Sequence, residues 1–249
     1  MLSTIVIQSH CQPLPYSGLQ VCIDSVKTWA DLHHYDYEFL DDELFDYVPI
    51  DIIEKTKNQK VIATDLARLK ILQKYLSKNY ETVIWCDADF VIFNPDEFKP
   101  IENTYALGRE VWIQEDVKKS GNMSAHVKVH NAFMMFRKGN AFLDFYTETA
   151  EKLILQNTGS MPPQFIGPKL LTALHNIAQC PVQETAGMLS PLLIHDIVNG
   201  GGDALELFKR KSTKKVYAAN LCNSLLEIDG YSAKQLDDCL EVLFHQQAI

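Results

Sequence analysis

The stretch that most constrains the fold is Thr82-Val-Ile-Trp-Cys86, a continuous apolar run that stops at two acids, Asp87 and Asp89. Uninterrupted apolar runs of this length suit a central strand covered on both faces, which requires helices packed on either side. A strand of this kind places ligands at its carboxyl end in open α/β sheets. Asp87-Ala88-Asp89 occupies that end. In extended backbone, residues i and i+2 share a face, so the two carboxylates are expected to project together.

The surrounding chain supports an α/β reading. Ser3-Thr-Ile-Val-Ile-Gln8 is a β-branched run suited to a buried strand. A turn-rich loop with Pro13, Pro15 and Gly18 follows. Leu19, Cys22, Ile23, Val26, Trp29 and Ala30 then recur at the spacing of one helix face. Tyr37 to Leu40 reads as a second strand, and strand–helix–strand at this spacing indicates a parallel unit. The acidic stretch Asp41 to Asp51 is expected to be a surface connection. A helix from Lys60 to Ser77 is expected to bury Ile62, Leu66, Leu69, Leu72 and Leu76.

In the second half, Tyr105 to Ile113 and Asn131 to Phe136 read as strands, separated by a polar loop from Glu115 to Ser124. Helices are expected from Ala141 to about Leu155 and from Pro168 to Ile177. Val216 to Asn220 reads as a late strand, and the tail from Ala233 as a helix. Asn199-Gly-Gly-Gly-Asp203 is a turn without the pattern of a phosphate-binding loop. With no repeat or low-complexity linker, the 249 residues are expected to form one domain.

Charge excludes one broad class. The formal net charge is −9, and nucleic-acid binding needs a clustered basic face. The one basic cluster, Lys209, Arg210, Lys211, Lys214 and Lys215, reads either as a solvated surface loop or as a basic flap near a diphosphate. Six cysteines without C-x-x-C spacing, no basic leader and no apolar stretch near the ~20 residues of a membrane span lead us to expect reduced thiols in a cytoplasmic protein.

Two neighbouring carboxylates repel unless a positive charge lies between them. A hard divalent cation, Mg²⁺ or Mn²⁺, is the usual solution, and it keeps coordination sites for substrate phosphate. An alternative is a turn in which both acids cap backbone amides. Asp65 and Arg68, one turn apart on the preceding helix, face a common neighbour, although a surface ion pair at that spacing contributes only a few tenths of a kcal/mol.

These residues carry a resemblance. Ala63-Thr-Asp65-Leu-Ala-Arg68-Leu-Lys-Ile-Leu72, followed by Val83-Ile-Trp-Cys-Asp87-Ala-Asp89-Phe-Val-Ile-Phe-Asn94-Pro95, resembles the core of GT-A-fold glycosyltransferases. It is similar to the DXD sugar-binding families, the glycogenin-like retaining enzymes, and the yeast Golgi-type galactosyl- and mannosyltransferases. Asn131-Ala132-Phe133 resembles their donor-sugar segment, and Gln164-Phe-Ile-Gly167-Pro168 an acceptor-side segment. The resemblance covers about residues 60–170.

It implies a GT-A α/β fold, a mixed sheet flanked by helices, in which residues from 1 to about 100 form a nucleotide-binding half and residues from about 101 to 249 an acceptor-binding half. It implies transfer of a sugar from a UDP- or GDP-sugar to a saccharide or other hydroxyl acceptor, with retention, and dependence on Mn²⁺ or Mg²⁺. Asp87 and Asp89 would hold the metal and diphosphate. Asp65, Arg68, Ala88, Asn131 and Ala132 would hold the donor, with Asp65, Asn131 and Gln164 nearest the reacting centre.

The sequence also departs from the pattern. Where a histidine is expected as third metal ligand, Tyr217-Ala-Ala-Asn220-Leu-Cys-Asn223-Ser224 offers Asn220, whose amide oxygen is a weaker ligand. His195 is the rival. Phe133 stands where many relatives have glycine, and the double glycine before the DXD strand is replaced by Ser77-Lys-Asn-Tyr80. Glu184 and Asp116 are candidate bases should the reaction invert, and Trp112 belongs either to the pocket wall or to the core. Two rival functions follow: a catalytically silent nucleotide-sugar-binding module, and a nucleotidyltransferase that makes the sugar donors. The second should carry a glycine-rich basic signature near its start, which Ser9-His-Cys-Gln-Pro13 lacks.

Overall fold

The computed structural model describes residues 3–116, 122–222 and 232–249. The chain is an α/β protein built on a mixed six-stranded sheet flanked by helices. Strand β1 (Thr4–Ser9) buries Ile5, Val6 and Ile7, then crosses through α1 (Ser17–Leu32) to β2 (Asp36–Leu40), which pairs with it in parallel. The apolar run forms β3 (Thr82–Cys86), buried along its whole length between β1 and β6 (Met123–Arg137). β6 runs antiparallel to β3 and to β5 (Tyr105–Glu115), whose outer edge takes the short parallel β7 (Val182–Gln183). The order is β2-β1-β3-β6-β5-β7.

A second sheet, β4 (Phe90–Ile92), β9 (Ala218–Asn220) and β8 (Ala186–Met188), lies immediately after the acids. Its register sets Phe90 opposite Asn220, which carries the late strand to the end of β3. This pairing is invisible to sequence separation, because it joins segments about half the chain apart.

Helix α3 (Lys60–Ser77) covers one face of the main sheet. Its buried side holds Ile62, Leu66, Leu69 and Leu72 as expected, with Tyr75 rather than Leu76 completing it; Leu76 is only partly buried. The same side includes Asp65 and Arg68, so their pairing is not the surface feature that the spacing alone allows. α4 (Ala141–Gln156) starts at Asn140, whose side chain accepts from the Leu143 amide. α5 (Pro168–Ala178) starts with proline in its first turn. α8 (Ala233–Gln246) starts with a capping box of Ser232 and Gln235.

Several expectations are corrected. The acidic stretch after β2 is not a bare connection: a 3₁₀ turn, Asp42–Tyr47, buries Leu44, and α2 (Ile50–Thr56) buries Ile52. Elements this short do not repeat a pattern often enough to declare themselves. The strands reach further than expected: β5 extends to Glu115 and β6 begins at Met123, so the ends of the Glu115–Ser124 loop are strand; residues 117–121 lie outside the described ones. α6 (Pro191–Val198) and α7 (Asp203–Lys211) were not anticipated. The glycines between them form a capping turn. Gly200 adopts φ 77°, and a Cβ on Gly202 would lie 2.3 Å from the Asp196 carboxylate that caps α7 through Ala204 and Leu205.

Lys209, Arg210 and Lys211 form the last turn of α7, where positive charge complements the helix dipole, rather than a loop. All six cysteines are free, and only Cys11 is exposed. Among the described residues, no helix is long and apolar enough to cross a membrane.

Candidate active site

Asp87 and Asp89 leave the strand by a turn, in which the Phe90 amide donates to the Asp87 carbonyl at 3.0 Å. They are therefore not aligned by strand pleat as expected. The chain must redirect here from β3 into β4, in the other sheet. Both acids nonetheless line one cleft of about 700 Å³. Ala88 between them is turned away and packs with Leu19 and Ile23, so its side chain lies in a core cluster instead of the expected donor site.

The Asp87 carboxylate is fixed from two sides. Arg68 Nη1 lies 3.0 Å from Oδ1, and the Trp85 indole N–H donates to the same oxygen at 2.6 Å. The Arg68 guanidinium also lies over the Trp85 ring, 5.3 Å from its centroid. From below, the Gln8 side chain donates to the Asp87 carbonyl at 3.1 Å, and is itself held by the Tyr37 hydroxyl. Gln8 is fully buried; its signal in the sequence is a lone amide closing an apolar strand. Trp85 is legible in hindsight as the residue two before Asp87.

Arg68 reaches Asp65 at 3.4 Å and donates to the Asn131 carbonyl at 3.3 Å. The Asn131 amide in turn donates to Asp65 Oδ1 at 2.9 Å. Asp65, Arg68, Asp87 and Asn131 thus form one network at the cleft floor, drawn from α3, the end of β3 and β6. Burial, the largest influence, raises the Asp65 pKa, against the opposing effects of Arg68 and Asn131. Gly167, at the start of α5, closes directly over this network. A Cβ there would stand 2.7 Å from Asp65 Oδ2 and 2.9 Å from Asn131 Nδ2.

Asn220 lines the cleft with its side-chain nitrogen, not its oxygen, toward Asp89. Its side chain donates to Asp89 Oδ1 at 2.6 Å, while its oxygen accepts from the Cys222 amide at 2.7 Å. Ligation through that oxygen would require the amide to turn over and surrender the Cys222 bond. Asn223 and Ser224 lie outside the described residues. His195 is elsewhere: it is exposed on α6, does not line the cleft, and bonds Asn199 and Asp196. Gln164 lines the cleft in a left-handed conformation, φ 61°, and Ala132 lines it from β6. Glu184 is engaged by Arg109 through two hydrogen bonds at 2.9 and 2.6 Å. Neither Glu184, Asp116 nor the basic cluster lines the cleft.

The residues present suit a hard cation in part. The lining acids, Asp65, Asp87, Asp89 and Glu110, outnumber the permanent cations, Arg68 and Lys128. Asp87 keeps a quarter of its side chain exposed. Two carboxylates suffice for Mg²⁺-type sites that fill the remaining positions with water and phosphate. Among the described residues, no three His, Cys, Asp or Glu side chains converge as a ligand set.

The cleft also has a wall of which the sequence singled out only Trp112. Glu110, Gln114, His126 and Lys128 line it from β5 and β6, together with Trp112. Glu110 is buried and its pKa is raised, chiefly by burial and against the influence of Lys128. Polar alternation in a strand was its available signal.

No family model matches the chain, and no curated protein matches it. Among solved structures it is similar to a glycosyltransferase involved in the glycosylation of the major capsid of PBCV-1, at 14% identity over 95% of this chain and 98% of that one, with a TM-score of 0.46. It is also similar to the galactosyltransferase LgtC in complex with donor and acceptor sugar analogues, at 12% identity over 96% of this chain and 95% of that one, again with a TM-score of 0.46.

Proposed function

We propose that the chain is a glycosyltransferase that binds a UDP- or GDP-sugar in the 700 Å³ cleft and transfers the sugar, with retention, to a hydroxyl acceptor. The observation that carries the reading is the buried network in which Arg68 joins Asp65 to Asp87, with Asn131 tying the first acid to β6. These are the residues of the sequence resemblance, brought together at a strand's carboxyl end from positions up to 66 apart. Beyond the ion pair, the Trp85 indole holds the Asp87 carboxylate at the cleft and Gln8 holds the main chain beneath it.

In this reading Asp65 and Asn131 hold donor-sugar hydroxyls, and Gln164 approaches the anomeric region from the α5 side. Arg68 acts by positioning, since its own charge is already shared between two carboxylates. A divalent cation held by Asp87 and Asp89, when bound, supplies positive charge for the departing diphosphate. Asn220 keeps Asp89 aimed. Retention rests on the resemblance, and the anomeric configuration of the product, read by NMR, tests it.

A second reading, donor binding without turnover, draws on one observation: the amide of Asn220 faces Asp89 where a third ligand is expected. Release of sugar from a panel of UDP- and GDP-sugars, with and without Mn²⁺, separates the two. Asp89→Ala is expected to abolish Mn²⁺-dependent UDP binding in calorimetry while the unfolding transition persists. Unchanged affinity in that variant sinks both readings.

A further inference from the structure

The long β5–β6 hairpin presents two different faces. Val111 and Ile113 point into the core formed with α6, α7 and α8. The alternate residues, Glu110, Trp112 and Gln114, all line the cleft. Opposite them in register stand Lys128, His126 and Ser124, of which Lys128 and His126 also line it. The result is a two-column strip running along the hairpin away from Asn131: a Glu–Lys pair first, then an indole beside an imidazole, then the Gln114 amide. From Glu110 to Gln114 it extends about 14 Å at the usual strand rise of ~3.4 Å per residue. That exceeds one hexose ring.

The chemistry of the strip is selective. Trp29 and Trp85 are buried, but Trp112 keeps its ring partly open in the cleft. An indole face offers an apolar surface of about the size of a pyranose ring, whose C–H groups pack on it while the hydroxyls point sideways. Carboxylate, amide, imidazole and ammonium groups on both sides are suited to those hydroxyls. A hydrocarbon chain laid on the same strip would strip water from the exposed His126 and Lys128 without replacing their hydrogen bonds. Such a position would also put the acceptor's far end on Gln114 and its near end by Glu110, toward the network that holds the donor.

We infer that the acceptor is a saccharide of at least two sugar units, bound along the β5–β6 strip with one ring stacked on Trp112. This deepens the glycosyltransferase reading and rests on it for the identity of the reaction. Glu110 accepts a hydrogen bond from an acceptor hydroxyl at the end nearest the donor.

The wild-type protein tests this directly, because Trp112 is the one tryptophan of three that solvent reaches. Acrylamide quenching of tryptophan fluorescence is measured while glucose, lactose, maltose and N,N′-diacetylchitobiose are titrated in. The expected result is saturable protection by at least one disaccharide, tighter than by glucose. In calorimetry with that disaccharide, Trp112→Ala should bind roughly five- to tenfold more weakly, with Trp112→Phe in between. The graded series separates loss of stacking from loss of folding. UDP with Mn²⁺ is titrated into the same preparation. If UDP binds and no saccharide protects Trp112, the strip is not an acceptor site and the proposal falls while the donor reading stands. If saccharides protect Trp112 and UDP does not bind, the strip stands and the donor reading falls.

Discussion

Arg68 shows how much one side chain carries. It is almost fully buried, lies between two carboxylates, and is stacked on Trp85. Arg68→Met leaves Asp65 and Asp87 close together with no cation between them, so the expected cost is about 3–5 kcal/mol of stability, read by urea unfolding. Arg68→Lys keeps the charge but loses the planar fork and the stacking, and should still lose most UDP affinity. A variant with unchanged unfolding midpoint would show that the network is not structural.

Asn220 tests the other acid. Asn220→Ala removes a donor from Asp89 and should weaken Mn²⁺ binding, followed by electron paramagnetic resonance of free Mn²⁺ without nucleotide. Asn220→His places an imidazole nitrogen beside Asp89 and should tighten it.

At this scale the sequence was legible where spacing implied a shared helix face, as for Asp65 and Arg68; Asp87 and Asp89 share the cleft too, but by a turn rather than by the strand pleat that their spacing implied. It was not legible where a partner arrives from another part of the chain. Gln8 beneath Asp87 and the reversed amide of Asn220 are of that kind.

Among the elements, β6 is the one whose role was least apparent. Only Asn131 to Phe136 shows the apolar run of a central strand, because that part is covered on both faces. The preceding residues alternate polar side chains toward the cleft and so resemble a loop. At the junction sits His130, fully buried, whose Nδ1 accepts from the Ala132 amide and whose Nε2 faces the Ala186 carbonyl. Gly108 opposite leaves room for it, since a Cβ there would lie 2.1 Å from the ring.

Burial, the largest cause, lowers the His130 pKa to about 4. The unfolded chain, with an ordinary histidine, therefore binds a proton that the folded one refuses between about pH 6.5 and 4. This group's contribution is fully present above pH 6.5 and declines as pH falls, by about 3 kcal/mol at the lower end. Asp65 and Glu110, with raised pKa values, act in the opposite sense. The difference between wild type and His130→Asn isolates the effect. Their stabilities in urea should converge as the pH is lowered from 7 to 4.5, and a constant gap would contradict a neutral, buried imidazole.

At the scale of the whole molecule, the cleft depends on α5 docking its N-cap residue against the network from outside the sheet. The helix was legible from its periodicity and its leading proline, but its docking was not, because a glycine in a sequence does not say what it approaches. Gly167 is that contact, 2.7 Å of Cβ clearance from Asp65 Oδ2. Gly167→Ala must therefore either lift α5 or push Asp65 and Asn131 from their positions, at a cost of about 1–3 kcal/mol for an overpacked site. Asp87 and Asp89 have anchors of their own in the Trp85 indole and the Asn220 amide, beside the Arg68 that Asp87 shares with Asp65. If Asp65 and Asn131 grip the sugar while the DXD acids grip the diphosphate, the variant should bind UDP with Mn²⁺ much as wild type does. It should lose the extra affinity that the sugar confers on UDP-sugar. Calorimetry with both ligands measures the difference. Parallel losses for UDP and UDP-sugar would mean that the two grips are one, and that α5 closes the entire cleft rather than its sugar end.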